Sequence, residues 1–315
     1  MIALPAKIHR RSRHHKKASM SQFSLLQLLH KYLFIYRVYC ELSNLYTAGF
    51  SKLVRHAMKV IDLAQAKSIG GLRLGLVAGL PSPWGEAAKG LLEAAEVEFS
   101  AFPYLGSDDS AYRSWTGYDH APVLKYDDDP CIHTWQDILY LLTTVSANRL
   151  VPKTSHARLE VFGLCHEIAG PHGFGWNARA IIVDGGLSDH AHPLPTDGAK
   201  YFARKYTHVP DARQRLLPQC AQTLAMLTAK LRASANRGSP YLVGDNLSAA
   251  DIYAATFLVF VAPWSSSECP MPEFLRDSFQ WLGEMLSMEV TEQLLSHREY
   301  IFKTYLSLPI QLITG

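Results

Sequence analysis

Two short stretches carry residue types that could stabilise an anion and hold an extended peptide. The first is Pro81-Ser82-Pro83-Trp84, between an apolar run and a helical pattern. A serine there, with the backbone N–H groups after it, faces a ligand at a helix N-terminus, where anions and thiolates are stabilised. The second is His120-Ala121-Pro122-Val123, with Pro122 forty residues after Ser82. A cis bond before Pro122 would mark a backbone edge able to pair with an extended peptide, since cis X-Pro bonds are uncommon and usually serve a purpose. The alternative for Ser82 is a turn hydroxyl capping the helix that begins after Pro83, because Ser before Pro is common turn chemistry.

The elements that would position these residues can be read from apolar spacing. Residues 72–78 read as a first strand and 84–96 as a first helix, with Ala87, Leu91, Leu92 and Ala95 forming its apolar stripe. Residues 98–102 read as a short strand, and the polar, turn-rich stretch 106–117 as irregular helix and loop. Residues 123–126 and 131–132, joined by the turn Asp127-Asp128-Asp129, read as a hairpin without the glycine of the strongest hairpin turns. Thr134 would cap a helix running to about residue 147, with Asp137 at the capping-box position. The pattern changes around residues 150–153, and beyond them the spacing is almost entirely helical. Leu217, Cys220, Leu224, Leu227 and Leu231 step by three and four along one face of a long helix that Gly238 ends. Ser248 and Asp251 form a box in front of a very apolar helix over 249–261, which Pro263 stops.

From about Leu72 onward the chain resembles a cytosolic-type glutathione transferase. The resemblance rests on the order and separation of the Ser-Pro and Ala-Pro motifs. A second match is Tyr241-Leu242-Val243-Gly244-Asp245-Asn246-Leu247-Ser248-Ala249-Ala250-Asp251-Ile252, which is similar to the capped, buried helix of the transferase all-helical domain. It implies an α/β thioredoxin-like domain over 70–148 followed by an all-α C-terminal domain over 152–315, with 1–57 a basic leader outside the fold. It further implies glutathione as co-substrate, a small electrophile as the other substrate, and a homodimer, although the polar stretch 106–117 offers no apolar anchor for one.

Residue roles follow from the resemblance position by position. Ser82 matches the catalytic serine of serine-type members. Where other members carry a cysteine this chain has none, since no cysteine lies between residues 41 and 130; glutaredoxin-like chemistry is therefore disfavoured. Pro122 and Val123 would offer edge backbone to glutathione. At Thr134-Trp135 the chain departs from the family, whose members usually place an acidic residue and a serine there to hold the γ-glutamyl arm. Helix-start amides and Asp137 are the available substitutes. Trp84 would pack between domains or wall a ligand pocket. His166, Glu167, His172, Trp176 and Arg179, around the break Gly170-Pro171-His172-Gly173, would line the electrophile side; the alternative is a kinked helix with a Glu–Arg pair. Expected site residues are thus Ser82 for catalysis, and Trp84, Pro122, Val123, Thr134, Trp135, His166, Trp176 and Arg179 for binding. The rival function is a non-catalytic scaffold or ligand carrier on the same fold, and a third option is peroxidase or isomerase chemistry on one metabolite.

Composition narrows the rest. The 315 residues are 48% hydrophobic and 19% charged with a formal net charge of +3, ordinary for a globular chain of one or two domains. Ten of the 31 Lys and Arg fall in residues 1–57 against a single acid, Glu41, so the remainder is acidic and carries no electrostatic footprint for nucleic acid. The leader is basic, acid-poor and His-rich: a tail, an upstream start with Met58 the natural beginning, or an organelle transit peptide. Five scattered cysteines argue for reduced thiols in a cytosol-like compartment. No run of 18 apolar residues occurs, so no membrane span is expected. Asp189-His190-Ala191-His192 and His14-His15 lack further ligands at zinc spacing, and no metal is expected. Phosphate-loop and nucleophile-elbow motifs are missing from the sequence.

Overall fold

The computed structural model describes residues 58–146, 150–189 and 191–314. The basic leader, Cys40, His14, His15 and His190 lie outside the described residues. Two elements precede the strand that sequence takes as the first. They are β1 (Lys59–Val60) and α1 (Leu63–Ser68), which starts at a capping box between Asp62 and Gln65. Two exposed strand residues and a six-residue helix are too short to show a period, so nothing in the apolar spacing announces them.

Next come β2 (Leu72–Val77), α2 (Pro83–Ala94), β3 (Phe99–Tyr104), α3 (Ser110–Thr116), β4 (Val123–Tyr126) and α4 (Trp135–Val145). The sheet runs β1-β3-β2-β4, with β4 alone antiparallel. Residues 131–132 do not form a fourth strand: a single bridge joins Leu124 and Ile132, and the fourth place in the sheet goes to β1. β3 runs two residues further than its apolar run suggests. Pro103 is tolerated because β1 pairs β3 only at Ser100 and Ala101, so the missing N–H lies where no strand pairs on that side.

Alternation along β2 separates two cores. Leu72, Leu74 and Leu76 join the large cluster with α2, α4 and the helices that follow. On the other face Phe102, Tyr104, Tyr112 and Val123 pack with Ile61 and Ala66 of the α1 side. Gly75 is required there, since a Cβ would stand 2.7 Å from the Tyr112 hydroxyl and 3.0 Å from the Phe102 ring.

Seven α-helices complete the described residues after the sheet: α5 (Ser155–Ala169), α6 (Phe174–Ser188), α7 (Thr196–Tyr206), α8 (Ala212–Ala235), α9 (Ala249–Phe257), α10 (Glu273–Met285) and α11 (Glu292–Tyr305). Every residue of α9 is buried, and a 3-10 turn over Leu258–Phe260 finishes it in place of α-helix to 261. The box at its start extends into a buried polar node. Asp251 Oδ2 accepts from the Ser248 amide at 2.9 Å and hydroxyl at 2.8 Å, while Oδ1 accepts from the Leu242 amide at 2.8 Å and meets His297 Nε2 at 3.0 Å. The C-terminal segment then returns to the sheet: Ile313 C=O accepts from Gly79 N–H at 2.8 Å, and Gln311 C=O from Lys89 Nζ at 3.0 Å. Among the described residues no helix is long and apolar enough to cross a membrane.

Candidate active site

Ser82 is the N-cap of α2, in extended conformation (φ −64°, ψ 122°) with Pro83 as the first helical residue. Its carbonyl accepts the Glu86 amide at 2.7 Å, but its hydroxyl makes no capping hydrogen bond. Pro83 at N1 removes one donor while the amides after it still point out of the helix start. The half-buried hydroxyl is therefore uncommitted.

The Ala121-Pro122 peptide bond is cis. β4 runs antiparallel to β2 with Val123 opposite Gly75, so Pro122 and Ala121 continue beside the end of β2 from which the Ser82 loop departs. Sheet topology thus brings the two motifs to one end of the sheet. Val123 itself is fully buried.

Residues just before the cis bond are held by α7, a connection the sequence does not reveal. Lys205 Nζ donates to the Asp119 carbonyl at 2.9 Å and to the Tyr104 hydroxyl at 3.1 Å, and the Tyr104 hydroxyl also donates to Asp119 C=O. Ser107 Oγ and Tyr201 Oη lie 2.9 Å apart. His120 Nε2 meets His133 Nδ1 at 3.1 Å, and Asp119 Oδ1 lies 3.4 Å from His120 Nδ1. Burial pushes the His120 imidazole below its usual range; Asp119 works against this and His133 adds to it. Thr134 caps α4, accepting the Asp137 amide at 3.1 Å and donating to Asp137 Oδ2 at 2.6 Å, so these two residues bond to each other.

Trp135 turns into the core, 8% exposed. Its ring centroid lies 6.0 Å from Phe162, 6.1 Å from His166 and 6.5 Å from Tyr253, and its indole N–H is buried without an acceptor. His166 is exposed on α5 beside this ring, away from the aromatic group around Trp84 in its ring contacts.

That second group is centred on Trp84. Its indole N–H donates to Ala169 C=O at 3.0 Å, and its ring meets Phe257 at 4.9 Å and Trp176 at 5.5 Å edge-on. Gly175 permits the contact, because a Cβ there would lie 2.4 Å from the Phe257 ring and 3.1 Å from Trp84. The Arg179 guanidinium carbon sits 4.1 Å from the Trp84 centroid, 4.2 Å from Tyr206 and 4.8 Å from Trp176. Among the described residues Arg179 forms no ion pair, so the Glu167–Arg179 alternative is not what the fold builds. Burial lowers its affinity for the proton, which the Tyr206 hydroxyl partly opposes. Trp84, Trp176 and Arg179 are thus brought together; Tyr206 and Lys205, at the end of α7, complete the surroundings and carried no motif.

The other candidate chemistry is quiet. Cys131, Cys165, Cys220 and Cys269 are free thiols, and burial raises each above the usual thiol range, to about 12 for Cys220 and Cys269. His192 is buried against Trp281, ring centroids 4.3 Å apart, and its Nδ1 accepts the Leu194 amide at 3.0 Å. No group of three or more His, Cys, Asp or Glu positioned for a metal occurs among the described residues.

The fold and this arrangement define a thioredoxin-like sheet domain joined to an all-helical domain. Residues 193–270, which span α7 to α9 and the Ser248–Asp251 box, match the family described as Glutathione S-transferase, C-terminal domain. The match shows a glutathione S-transferase C-terminal domain over those residues. No curated protein matches it. Similar solved structures include monomeric Na-GST-3, a glutathione S-transferase of the hookworm Necator americanus (14% identity, 75% of this chain and 94% of that one, TM-score 0.48). Another is a glutathione transferase family member from Pseudomonas fluorescens Pf-5 with two glutathione bound (16%, 75% and 97%, TM-score 0.46). A third is the glutathione S-transferase of Ascaris lumbricoides (18%, 75% and 94%, TM-score 0.43).

Proposed function

We propose that the chain uses glutathione as a co-substrate and adds its thiolate to a small electrophile. The observation that carries this reading is the Ser82 hydroxyl: it stands at a helix N-cap, makes no capping bond, and shares one end of the sheet with the cis Ala121-Pro122 bond. The backbone at Pro122 and Val123 would align the extended tripeptide. The Ser82 O–H and the α2 amides would donate to the sulfur, lowering the thiol pKa so that thiolate is present at neutral pH. The sulfur lone pair then forms the S–C bond as the electrophile's leaving group departs or its π bond opens, and the thiol proton leaves to solvent. Holding both reactants together supplies the remaining acceleration.

A scaffold or ligand-carrier reading is favoured by one observation: Trp135 turns into the core, and Asp137 bonds to Thr134, so the γ-glutamyl arm would rely on the start of α4. Thermal unfolding of the full chain with and without millimolar glutathione separates the two. At about 100 times its dissociation constant, glutathione should add roughly 2.7 kcal/mol and raise the Tm by several degrees. Ser82→Ala should keep that shift while losing roughly 100-fold in turnover of an aryl halide, with folding stability unchanged because no cap bond is lost. No shift in the wild type would leave the scaffold reading.

A further inference from the structure

Among the described residues, no carboxylate neutralises the charged side chain of Arg179. Three aromatic rings surround its guanidinium at 4.1 to 4.8 Å, from α2 (Trp84), α6 (Trp176) and the end of α7 (Tyr206). Among the described residues no carboxylate pairs with it, and the one ionisable group acting on it is the Tyr206 phenol. None of its nitrogens is sealed from solvent without a partner, in contrast to Arg73 and Arg298, whose Nε atoms are. A second cation stands close by: Lys205 Nζ lies 5.6 Å from the centroid of the same Tyr206 ring. Lys205 spends its donors on the Tyr104 hydroxyl and the Asp119 carbonyl, which leaves its charge without a carboxylate bonded to the ammonium.

Ring faces satisfy a guanidinium through its π surface and leave the in-plane N–H donors uncommitted. That is the geometry for bidentate recognition of a carboxylate, and partial desolvation strengthens such a bond. A half-buried cation with no carboxylate partner among the described residues is costly to the fold, and an anionic ligand would offset that cost. Trp84, which forms one wall, follows Ser82 by two residues, which ties the cage to the start of the helix that carries Ser82.

We infer that Arg179, held in its aromatic cage with Lys205 near the same Tyr206 ring, is a carboxylate-binding subsite that selects electrophilic substrates bearing an acidic group beside an apolar body. This rests on the reading that a second, small substrate binds here, and the test keeps the two apart by measuring binding without glutathione.

The experiment is calorimetric titration of the full chain with 4-phenylbutyrate and with its neutral counterpart 4-phenylbutanamide, followed in parallel by tryptophan fluorescence, to which Trp84 and Trp176 should respond. The acid should bind more tightly than the amide by about tenfold or more. Arg179→Met, which keeps the stem between the rings, should abolish that preference; Arg179→Lys should retain part of it. If acid and amide bind alike or not at all, or if Arg179→Met keeps the preference while its circular dichroism is native, the inference is overturned. If glutathione competes with phenylbutyrate, Arg179 serves glutathione's own carboxylate and the acceptor subsite is likewise overturned. A carboxylate preference that survives in a chain showing no glutathione shift would uphold the subsite and sink the transferase reading alone.

Discussion

At the scale of single residues, the site is defined by what each polar group is not spending. Ser82 has a hydroxyl with no capping bond and Arg179, among the described residues, a charge with no carboxylate, whereas Thr134 and Asp137 bond to each other. Glu93 shows the same accounting in reverse. It lines a cavity of about 10 Å³ with Glu86, Lys89 and Thr256, and burial pushes its carboxyl from 4.5 up to about 7, with Lys89 opposing and Glu86 adding to the rise. The folded chain therefore binds this proton more tightly than the unfolded chain. On this group's account stability is fully present at and below pH 4.5, falls as pH rises from there through about 7, and is level above. We expect Glu93→Gln to gain about 2 kcal/mol above pH 7 and nothing near pH 4.5, measured by urea unfolding across that range. A pH-independent difference would show that Glu93 is not the titrating group.

At the scale of elements, α9 is the axis of the helical domain. Buried on all sides, it depends on Asp251 to satisfy the Leu242 and Ser248 amides, the Ser248 hydroxyl and His297. Asp251→Ala removes one partner of a buried network and leaves donors without acceptors. We expect a loss of about 3 to 5 kcal/mol by chemical denaturation, far above the 1 kcal/mol or so of an exposed cap. A loss no larger than that of an exposed cap would mean the node is replaced by water or by relaxation of the loop. This element was legible in the sequence because a capping box followed by an unbroken apolar run is a local pattern. The leading strand and α1 were not legible, since Lys59–Val60 is exposed and two residues long. Nor was the failure of residues 131–132 to form a strand, which depends on pairing partners and not on the segment itself.

At the scale of the whole molecule, the C-terminal segment pins the loop that carries Ser82. Ile310, Leu312 and Ile313 are buried, and the Ile313 carbonyl takes the Gly79 amide. Ile313→Ala should cost about 2 to 4 kcal/mol as a core truncation. It should also speed hydrogen exchange at the Gly79 amide relative to the rest of β2. Unchanged protection at Gly79 would show that the loop is rigid without the strap.

Local patterns in the sequence encode the succession of β2, α2, β3 and β4, the helix start at Ser82, the cap of α4 at Thr134 and the buried helix behind Ser248. Each of these follows from apolar period, cap chemistry or turn residues within a dozen positions, which is the range over which backbone sterics and local hydrogen bonds act. Tertiary structure alone decided where the side chains of the site went. Trp135 packs inward against α5 and α9, α7 reaches the cis-proline edge through Lys205, and Arg179 finds its rings on α2, α6 and α7. Those contacts join residues far apart in the chain, and no local rule encodes which aromatic ring a distant guanidinium will meet.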